Sequence, residues 1–202
     1  MYSVEEIQEN YKSFSNAKIE RIAKNDSKGL RKEVLNILKD EIEKRNLDKS
    51  LLNWVEAETN ILTDGEKELL IYQIENLHCP KCLQKNGKLG GYEINRVISF
   101  LIYTDDTTEI KIICKTCGKQ EKLYSMLTTL FASWWSKRGI LITPYTLIKD
   151  SINLFFQKKI SNRILNNFLE ANNGLIRLRG TGEKALADLI FLHNNKNISK
   201  EE

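Results

Sequence analysis

The chain has few of the residues that most often carry catalysis. Among its 202 residues are two histidines and four cysteines, and all four cysteines fall into Cys-x-x-Cys pairs. No cysteine is left over as a free nucleophile, and neither histidine has a recognisable serine or aspartate partner in the sequence. Gly180-Thr181-Gly182 lacks the residues that complete a phosphate-binding loop. We therefore predict that the protein is not an enzyme, and we infer no small-molecule substrate.

The sequence also lacks a long apolar segment. Its most apolar stretch, residues 123–136, has 14 residues without a charge, whereas a membrane-spanning helix needs about 20 apolar residues. The N-terminus shows no basic region followed by an apolar run, so we expect no secretory signal. These absences predict a cytoplasmic protein whose thiols stay reduced.

The composition is that of a folded, soluble chain, with 41% hydrophobic and 29% charged residues and a mean hydropathy of −0.40. Acidic residues outnumber basic ones in the first 78 residues, and basic residues predominate over 79–180. There are two alternatives. Either the acidic and basic parts face each other, or the basic part binds an anionic partner. The second alternative predicts nucleic-acid binding, with these candidate contacts: Lys111, Lys115, Lys119, Lys122, Lys137, Arg138, Arg177 and Arg179.

The two cysteine pairs are the most specific motif in the chain. Four thiolates at this spacing can surround one zinc ion at about 2.3 Å per Zn–S bond. The motif predicts one structural Zn²⁺ per chain, bound by the following ligands: Cys79, Cys82, Cys114 and Cys117. A rubredoxin-like iron site, two disulfides and a redox pair are the alternatives. His78, beside Cys79, is a further candidate ligand, although an ordinary helix-end histidine is the simpler interpretation.

Helical patterns dominate the first 76 residues. Ser3 and Glu6 form a capping-box motif, and an apolar stripe predicts a helix over 30–46. Further helices are predicted at 16–25, from about Ser50 and from Thr63-Asp64.

The segment 77–122 is predicted to be a zinc-stiffened β-hairpin. Residues 92–104 and 108–114 have strand character, and Asp105-Asp106-Thr107 has the composition of a turn between them. Gly118 is expected to supply the positive φ of a metal knuckle. With its two cysteine pairs, this segment resembles a zinc ribbon. Ribbons of transcript-cleavage factors carry two acidic residues at the hairpin tip, so Asp105-Asp106 suggests a weaker, enzymatic alternative in which the tip delivers a metal to a polymerase.

Helices return in the C-terminal part. An apolar helix is predicted over 123–136, and Thr143-Pro144 predicts the start of a helix that runs to about 159. A helix over 161–172 is expected to end at Asn173-Gly174, followed by an extended piece and a last helix from Thr181. The predicted fold class is α+β and mainly α-helical. Its predicted parts are a helical module (1–76), a zinc-ribbon hairpin (77–122), a helical cluster (123–196) and a disordered tail (197–202).

Trp134 and Trp135 stand beside Lys137 and Arg138 at the end of the apolar stretch. In a core helix the two tryptophans would be covered by the hairpin or by the next helix, which we take as the simpler expectation. Tryptophans beside cations are also typical of a membrane-interface anchor, which makes residues 123–142 a candidate membrane or partner contact.

Two segments carry further resemblances. The Trp pair, Gly139-Ile140 and Thr143-Pro144, downstream of the cysteine pairs, resemble a segment of uncharacterised bacterial ribbon proteins, many of them membrane-associated. In those proteins the residues after the tryptophans are mostly apolar, whereas this chain has Ser136-Lys137-Arg138. Residues 19–47 are similar to a short helical module in bacterial proteins of unknown function.

Together these observations predict a non-catalytic zinc-binding interaction protein whose hairpin binds a macromolecule, most simply a protein. Nucleic-acid binding through the basic middle and peripheral attachment to the inner membrane face are the two alternative predictions.

Overall fold

The computed structural model describes residues 3–85, 87–101 and 103–196. The described chain is mainly helical with a two-stranded antiparallel hairpin in its middle, which confirms the predicted α+β class. It forms two compact units, one of residues up to Thr63 with Glu170–Thr181, the other of Asp64–Leu169 with the residues from Gly182 onward. The predicted disordered tail, 197–202, lies outside the described residues.

The elements follow in this order: α1 (Val4–Ser13), α2 (Asn16–Asn25), a 3-10 turn (Ser27–Gly29), α3 (Lys32–Lys44), α4 (Ser50–Thr59), α5 (Asp64–Glu75), β1 (Leu89–Phe100), β2 (Tyr103–Cys114), α6 (Lys115–Ala132), α7 (Lys137–Phe155), α8 (Gln157–Ala171), α9 (Asn173–Arg179) and α10 (Glu183–Lys196).

The first unit is built from amphipathic helices, as their sequence patterns predict. The Ser3–Glu6 capping box is present at the start of α1. Helix α3 buries its predicted apolar stripe in a core shared with α1, α2 and α4. The guanidinium of Arg45 donates to the backbone oxygens of Tyr11 and Phe14, so it satisfies carbonyls at the end of α1.

Helix α9 replaces the extended piece predicted after Asn173-Gly174, and this prediction is wrong for a tertiary reason. Asn173 is buried, accepts from the Leu62 N–H at 3.1 Å and donates to the carbonyl of Ala57 at 3.0 Å. Gly174 fits tightly against Glu58, whose carboxylate accepts from its N–H at 2.9 Å. The preceding helix ends near these residues as predicted, since α8 ends at Ala171, and Asn173 and Gly174 then dock α9 on the end of α4.

The second unit is organised around the hairpin, whose two strands pair from Leu89–Cys114 to Phe100–Tyr103. The predicted turn at Asp105-Asp106-Thr107 is wrong, because Asp105 and Asp106 pair with Ile98 and Val97 inside the sheet. The acidic pair is therefore not at the tip of the hairpin, and the geometry on which the transcript-cleavage resemblance depends is missing.

Side chains from the helices cover the outer edges of this two-stranded sheet. Asn194 of α10 exchanges two hydrogen bonds with the backbone of Ile112, at 2.8 and 3.0 Å. On the opposite edge, Gly91 donates to Ser161 Oγ at 3.0 Å and accepts from Gln157 Nε2 at 2.8 Å. An unpaired sheet edge is a site of aggregation, so these contacts protect the hairpin as well as hold it.

Helices α6 and α7 run along the hairpin in opposite directions. The N–H of Val97 donates to Thr129 Oγ1 of α6 at 3.0 Å, and Ser136 N-caps α7 by accepting from the Gly139 N–H at 2.9 Å. The predicted helix start at Thr143-Pro144 is wrong, because Pro144 lies inside α7. The Thr143 hydroxyl donates to the Gly139 carbonyl at 2.6 Å.

Candidate metal centre and apolar surface

The four cysteines converge at the base of the hairpin. Their sulfur atoms all lie within 4.8 Å of one another, and the Sγ atoms of Cys82 and Cys114 are 3.9 Å apart. Tetrahedral coordination at about 2.3 Å places the sulfur atoms about 3.8 Å from each other. Four cysteines are therefore positioned to hold one metal ion, and three of them are buried.

Three segments of backbone bring these sulfurs together. Cys79 and Cys82 lie in a loop closed by hydrogen bonds from Leu83 N to Cys79 O at 2.8 Å and from Cys79 N to Gln84 O at 3.0 Å. Leu83 adopts a positive φ of 58° there. Cys114 ends β2, and α6 begins at the next residue, so Cys117 lies in the first helical turn. The site thus links the loop, the hairpin and α6.

The second cysteine pair is therefore not the predicted glycine knuckle. Gly118 is helical, and among the described glycines only Gly87 and Gly180 have a positive φ. The absence of a side chain at Gly118 matters for packing instead, because a Cβ there would lie 2.4 Å from the buried ring of Tyr92. Tyr92 thus packs directly against the start of α6.

Backbone amides tune the first cysteine toward metal binding. Burial acts to raise the pKa of Cys79, but the N–H groups of Cys114, Cys82 and Lys81 outweigh it and lower the pKa to about 7. The Cys114 N–H donates to the Cys79 sulfur at 3.3 Å. Amides directed at sulfur are the usual second shell of a thiolate metal site. Burial raises the pKa of Cys117, as do the neighbouring sulfurs, so a metal ion is needed to hold this thiol as a thiolate.

The histidines stand apart from this cluster. His78 is exposed, and its Nδ1 lies 3.7 Å from a carboxylate oxygen of Glu183. His193 is half-buried against Phe168, with ring centroids 5.2 Å apart, and burial lowers its pKa.

An ion pair also connects the first cysteine loop to α6. It is formed by Lys81 of the loop and Glu121 of the helix.

The predicted nucleic-acid contacts differ in their exposure and in their ion pairs. Lys122 is 1% exposed and pairs with Asp150, which removes it from the basic surface. Lys111 pairs with Glu109, and Arg138 pairs with Asp106 at 3.0 Å. The remaining candidates are then placed as follows: Lys115 and Lys119 on the exposed side of the first turns of α6, Lys137 exposed at the start of α7, and Arg177 and Arg179 on α9 of the first unit.

The tryptophan pair is exposed, contrary to the simpler expectation of a buried pair. Trp134 exposes 43% of its surface and Trp135 exposes 70%. Their exposure is part of a larger pattern on α6, where apolar side chains recur at helical spacing on the outward face. Together with those of α7 they form a surface that we call the α6–α7 apolar surface, made of Leu123, Tyr124, Leu127, Leu130, Phe131, Trp134, Trp135, Ile140, Leu141, Tyr145, Ile148, Ile152 and Phe155.

The inward faces of the same helices are polar or small. On α6 and just after it the buried residues are Lys122, Ser125, Thr129 and Ser133. On α7 they are Gly139, Thr143, Thr146 and Asp150. In a water-soluble helix pair the distribution is normally the reverse, with apolar side chains inside and polar ones outside.

A buried polar network holds this interior together. Asp150 accepts from Asn95 Nδ2 at 2.6 Å and lies 3.6 Å from the Lys122 ammonium. Asn95 Oδ1 in turn accepts from Thr108 at 2.9 Å and from Lys149 at 3.1 Å. The network joins α6, α7 and both strands, so it aligns the outward faces of the two helices.

Sequence reasoning missed this polar interior. The signal was present, since Ser125, Thr129 and Ser133 recur every four residues opposite the apolar stripe of α6. The spacing indicates only that one of the two stripes of α6 is buried. Because apolar side chains are normally the buried ones, the sequence favours burial of the apolar stripe over the Ser/Thr stripe.

No model of a known protein family matches the chain, and searches of curated proteins and of solved structures found no significant match. In the part of the chain that the structure describes, no helix has both the length and the apolar character needed to cross a bilayer.

Proposed function

We propose that this protein is a non-catalytic, zinc-stiffened protein that attaches to the interface of a membrane through the α6–α7 apolar surface. The observation that carries the proposal is the inverted polarity of α6 and α7, whose apolar side chains face outward while polar groups are buried.

The metal in this proposal is Zn²⁺ with a structural role. Four thiolates complete a tetrahedral shell and leave no position for water or substrate. Cys117 lies in the first turn of α6 and Cys114 at the end of β2. Closing the shell therefore fixes α6 against the hairpin, and this in turn orients the outward face of the helix.

Lipid is the occupant that best matches the inverted polarity. In a bilayer, ionisable side chains face the protein interior and pair with each other, as Lys122 and Asp150 do here. Small residues at the contact between helices, such as Gly139, are also typical of packing in lipid. A Cβ on Gly139 would lie 2.0 Å from the carbonyl of Ser133, so this approach is close.

The dimensions support attachment at the interface. From Leu123 to Trp134 the stripe on α6 extends about 16 Å at 1.5 Å per residue, which is too short to cross a hydrocarbon core of about 30 Å. The stripe therefore suits attachment at the membrane surface instead of a span. Trp135 with Lys137 at the end of the stripe matches side chains that lie at headgroup level. We place the protein on the cytoplasmic side, where thiols remain available to zinc.

Co-sedimentation with vesicles tests this proposal. Zinc-loaded full-length protein is mixed with phosphatidylcholine vesicles, with and without phosphatidylserine, at low and high salt. Trp135 exposes 70% of its surface, so immersing its ring removes on the order of 140 Å² from water, worth about 3 kcal/mol. We expect binding that persists in high salt and falls by about a hundredfold in the Trp134→Ala/Trp135→Ala variant.

Tyr72→Ala is the matched control, because Tyr72 exposes 63% of its surface on α5, outside the α6–α7 apolar surface. It should leave vesicle binding unchanged. Self-association in light scattering that both tryptophan substitutions abolish would assign the surface to a second copy of the chain. A monomer that ignores vesicles under all these conditions contradicts the proposal.

A further inference from the structure

A second feature of the described chain lies near the cysteines. It is a cavity of about 480 Å³ between α5, the start of β1, α6 and α8. Four lysines line it, namely Lys88, Lys115, Lys119 and Lys158, against a single carboxylate, Glu75. Its volume is within the range of small-ligand sites, which is about 300–1,000 Å³.

The positive charge of this cavity is not balanced internally. Lys88 pairs with Glu75 at 2.6 Å. For Lys115, Lys119 and Lys158, no carboxylate of a described residue lies within ion-pair distance. Lys115 is also the first residue of α6, where the helix dipole adds positive potential. Three exposed cations from two helices thus line one half-open cavity.

The remaining walls offer mainly apolar contact. Tyr92 and Leu89 of β1 contribute apolar surface to the cavity, although most of each side chain is buried. Gln157 also lines the cavity, and its Nε2 donates to the Gly91 carbonyl at 2.8 Å.

We propose that this cavity binds a small phosphate monoester. A phosphate monoester has close to two negative charges at neutral pH and three acceptor oxygens, which match the unpaired ammonium groups. Its organic part fits against the apolar wall formed by Leu89 and Tyr92.

A small ligand fits this geometry better than a nucleic acid does. Nucleic-acid binding needs a positive surface that follows a backbone over several phosphates. Here Lys122 is buried and Lys111 and Arg138 are paired with carboxylates, so the cations left on α6 point to one cavity instead of forming a stripe. The site is also independent of membrane attachment.

Calorimetric titration of the zinc-loaded full chain with adenosine monophosphate, and separately with inorganic phosphate, tests the proposal. We expect saturable binding, tighter for the monoester than for inorganic phosphate. Losing one charge-assisted contact should weaken binding by about tenfold or more, so Lys119→Ala and Lys158→Ala should each raise the Kd to that extent.

Lys159→Ala is the matched control, since Lys159 is exposed on α8 and does not line the cavity. It should change the Kd less than twofold, and thermal melts should show that all three variants remain folded. Absence of saturable binding of both probes, or equal loss in the control, overturns the proposal. The proposal is also overturned if duplex or single-stranded oligonucleotides bind more tightly than both probes and the Lys119→Ala and Lys158→Ala variants bind those oligonucleotides as well as the native protein does.

Discussion

Replacing Asp150 with asparagine removes one negative charge from the interior of the second unit and leaves the size of the side chain almost unchanged. The side chain keeps its shape, and its oxygen still accepts from Asn95. Lys122 then loses its only charged partner at ion-pair distance among the described residues, while remaining 1% exposed. An unpaired ammonium group in such an environment is costly, because burial disfavours the charged form.

The magnitude follows from the distance between the two groups. Lys122 Nζ and Asp150 Oδ1 are 3.6 Å apart. At an effective dielectric constant of about 20, two unit charges at this distance attract by about 4 to 5 kcal/mol. Removing one partner of a buried ion pair typically costs about 3–5 kcal/mol. We expect Asp150→Asn to lower the free energy of unfolding of this unit by about that amount at pH 7.

The same variant has a predicted pH dependence. In the native protein, burial lowers the pKa of Lys122, while the charge of Asp150 acts to raise it. Without that carboxylate the folded-state pKa drops further below its unfolded value of about 10.4. Between the two values the unfolded chain binds more protons, so stability must rise with pH. The slope reaches at most about 1.4 kcal/mol per pH unit, and the deficit of Asp150→Asn shrinks between pH 7 and 10.

A double-mutant cycle with Lys122→Met completes the experiment. The double variant buries no charge at these positions, so it should regain most of the stability that Asp150→Asn loses. Hydrogen exchange of the β1 and β2 amides, followed by mass spectrometry, reports on this unit without a contribution from the other. A coupling energy below about 0.5 kcal/mol, or a deficit that grows from pH 7 to 10, would refute the account of a paired, buried lysine.

Three other predictions concern the hairpin and the candidate metal site. Gly118→Ala should destabilise the second unit by about 1–3 kcal/mol, because its Cβ collides with Tyr92, whereas Gly65→Ala, with open space around it, should be neutral or stabilising in the same thermal melt. Asn194→Ala should speed hydrogen exchange at Ile112, since two hydrogen bonds worth about 1 kcal/mol each are lost; unchanged exchange contradicts that role. Elemental analysis should find one zinc per chain, and chelation should lower the melting temperature of the second unit only; metal-free protein with an unchanged melt contradicts a structural site.

Local patterns were sufficient for the elements that depend on local interactions. The Ser3–Glu6 capping box and the stripe from Val34 to Ile42 each formed as predicted. Caps and stripes require only neighbours along the chain, so the sequence contains all the information they need. The cysteine cluster was also predictable, because two closely spaced pairs are useful to a metal only when they come together.

Elements whose ends depend on distant contacts were predicted wrongly. Asp105-Asp106 lies within β2 because the register of the hairpin continues to Phe100–Tyr103. Pro144 lies inside α7 because Gly139 and Thr143 pack closely against the end of α6. Asn173 continues into α9 because its amide binds the end of α4. In each case a tertiary contact outweighed a local preference of about 1–3 kcal/mol.

The amino-acid sequence alone therefore determined the α+β class, the helices of the first 63 residues and the four cysteines that can hold a metal ion, since these follow from periodicity, capping and ligand spacing. Only the tertiary structure decided which face of α6 and α7 is buried. The reason is that Lys122, Asp150 and Asn95 come from three distant segments and satisfy one another only when those segments meet. Once they do, the polar face is turned inward and the tryptophans are left outside.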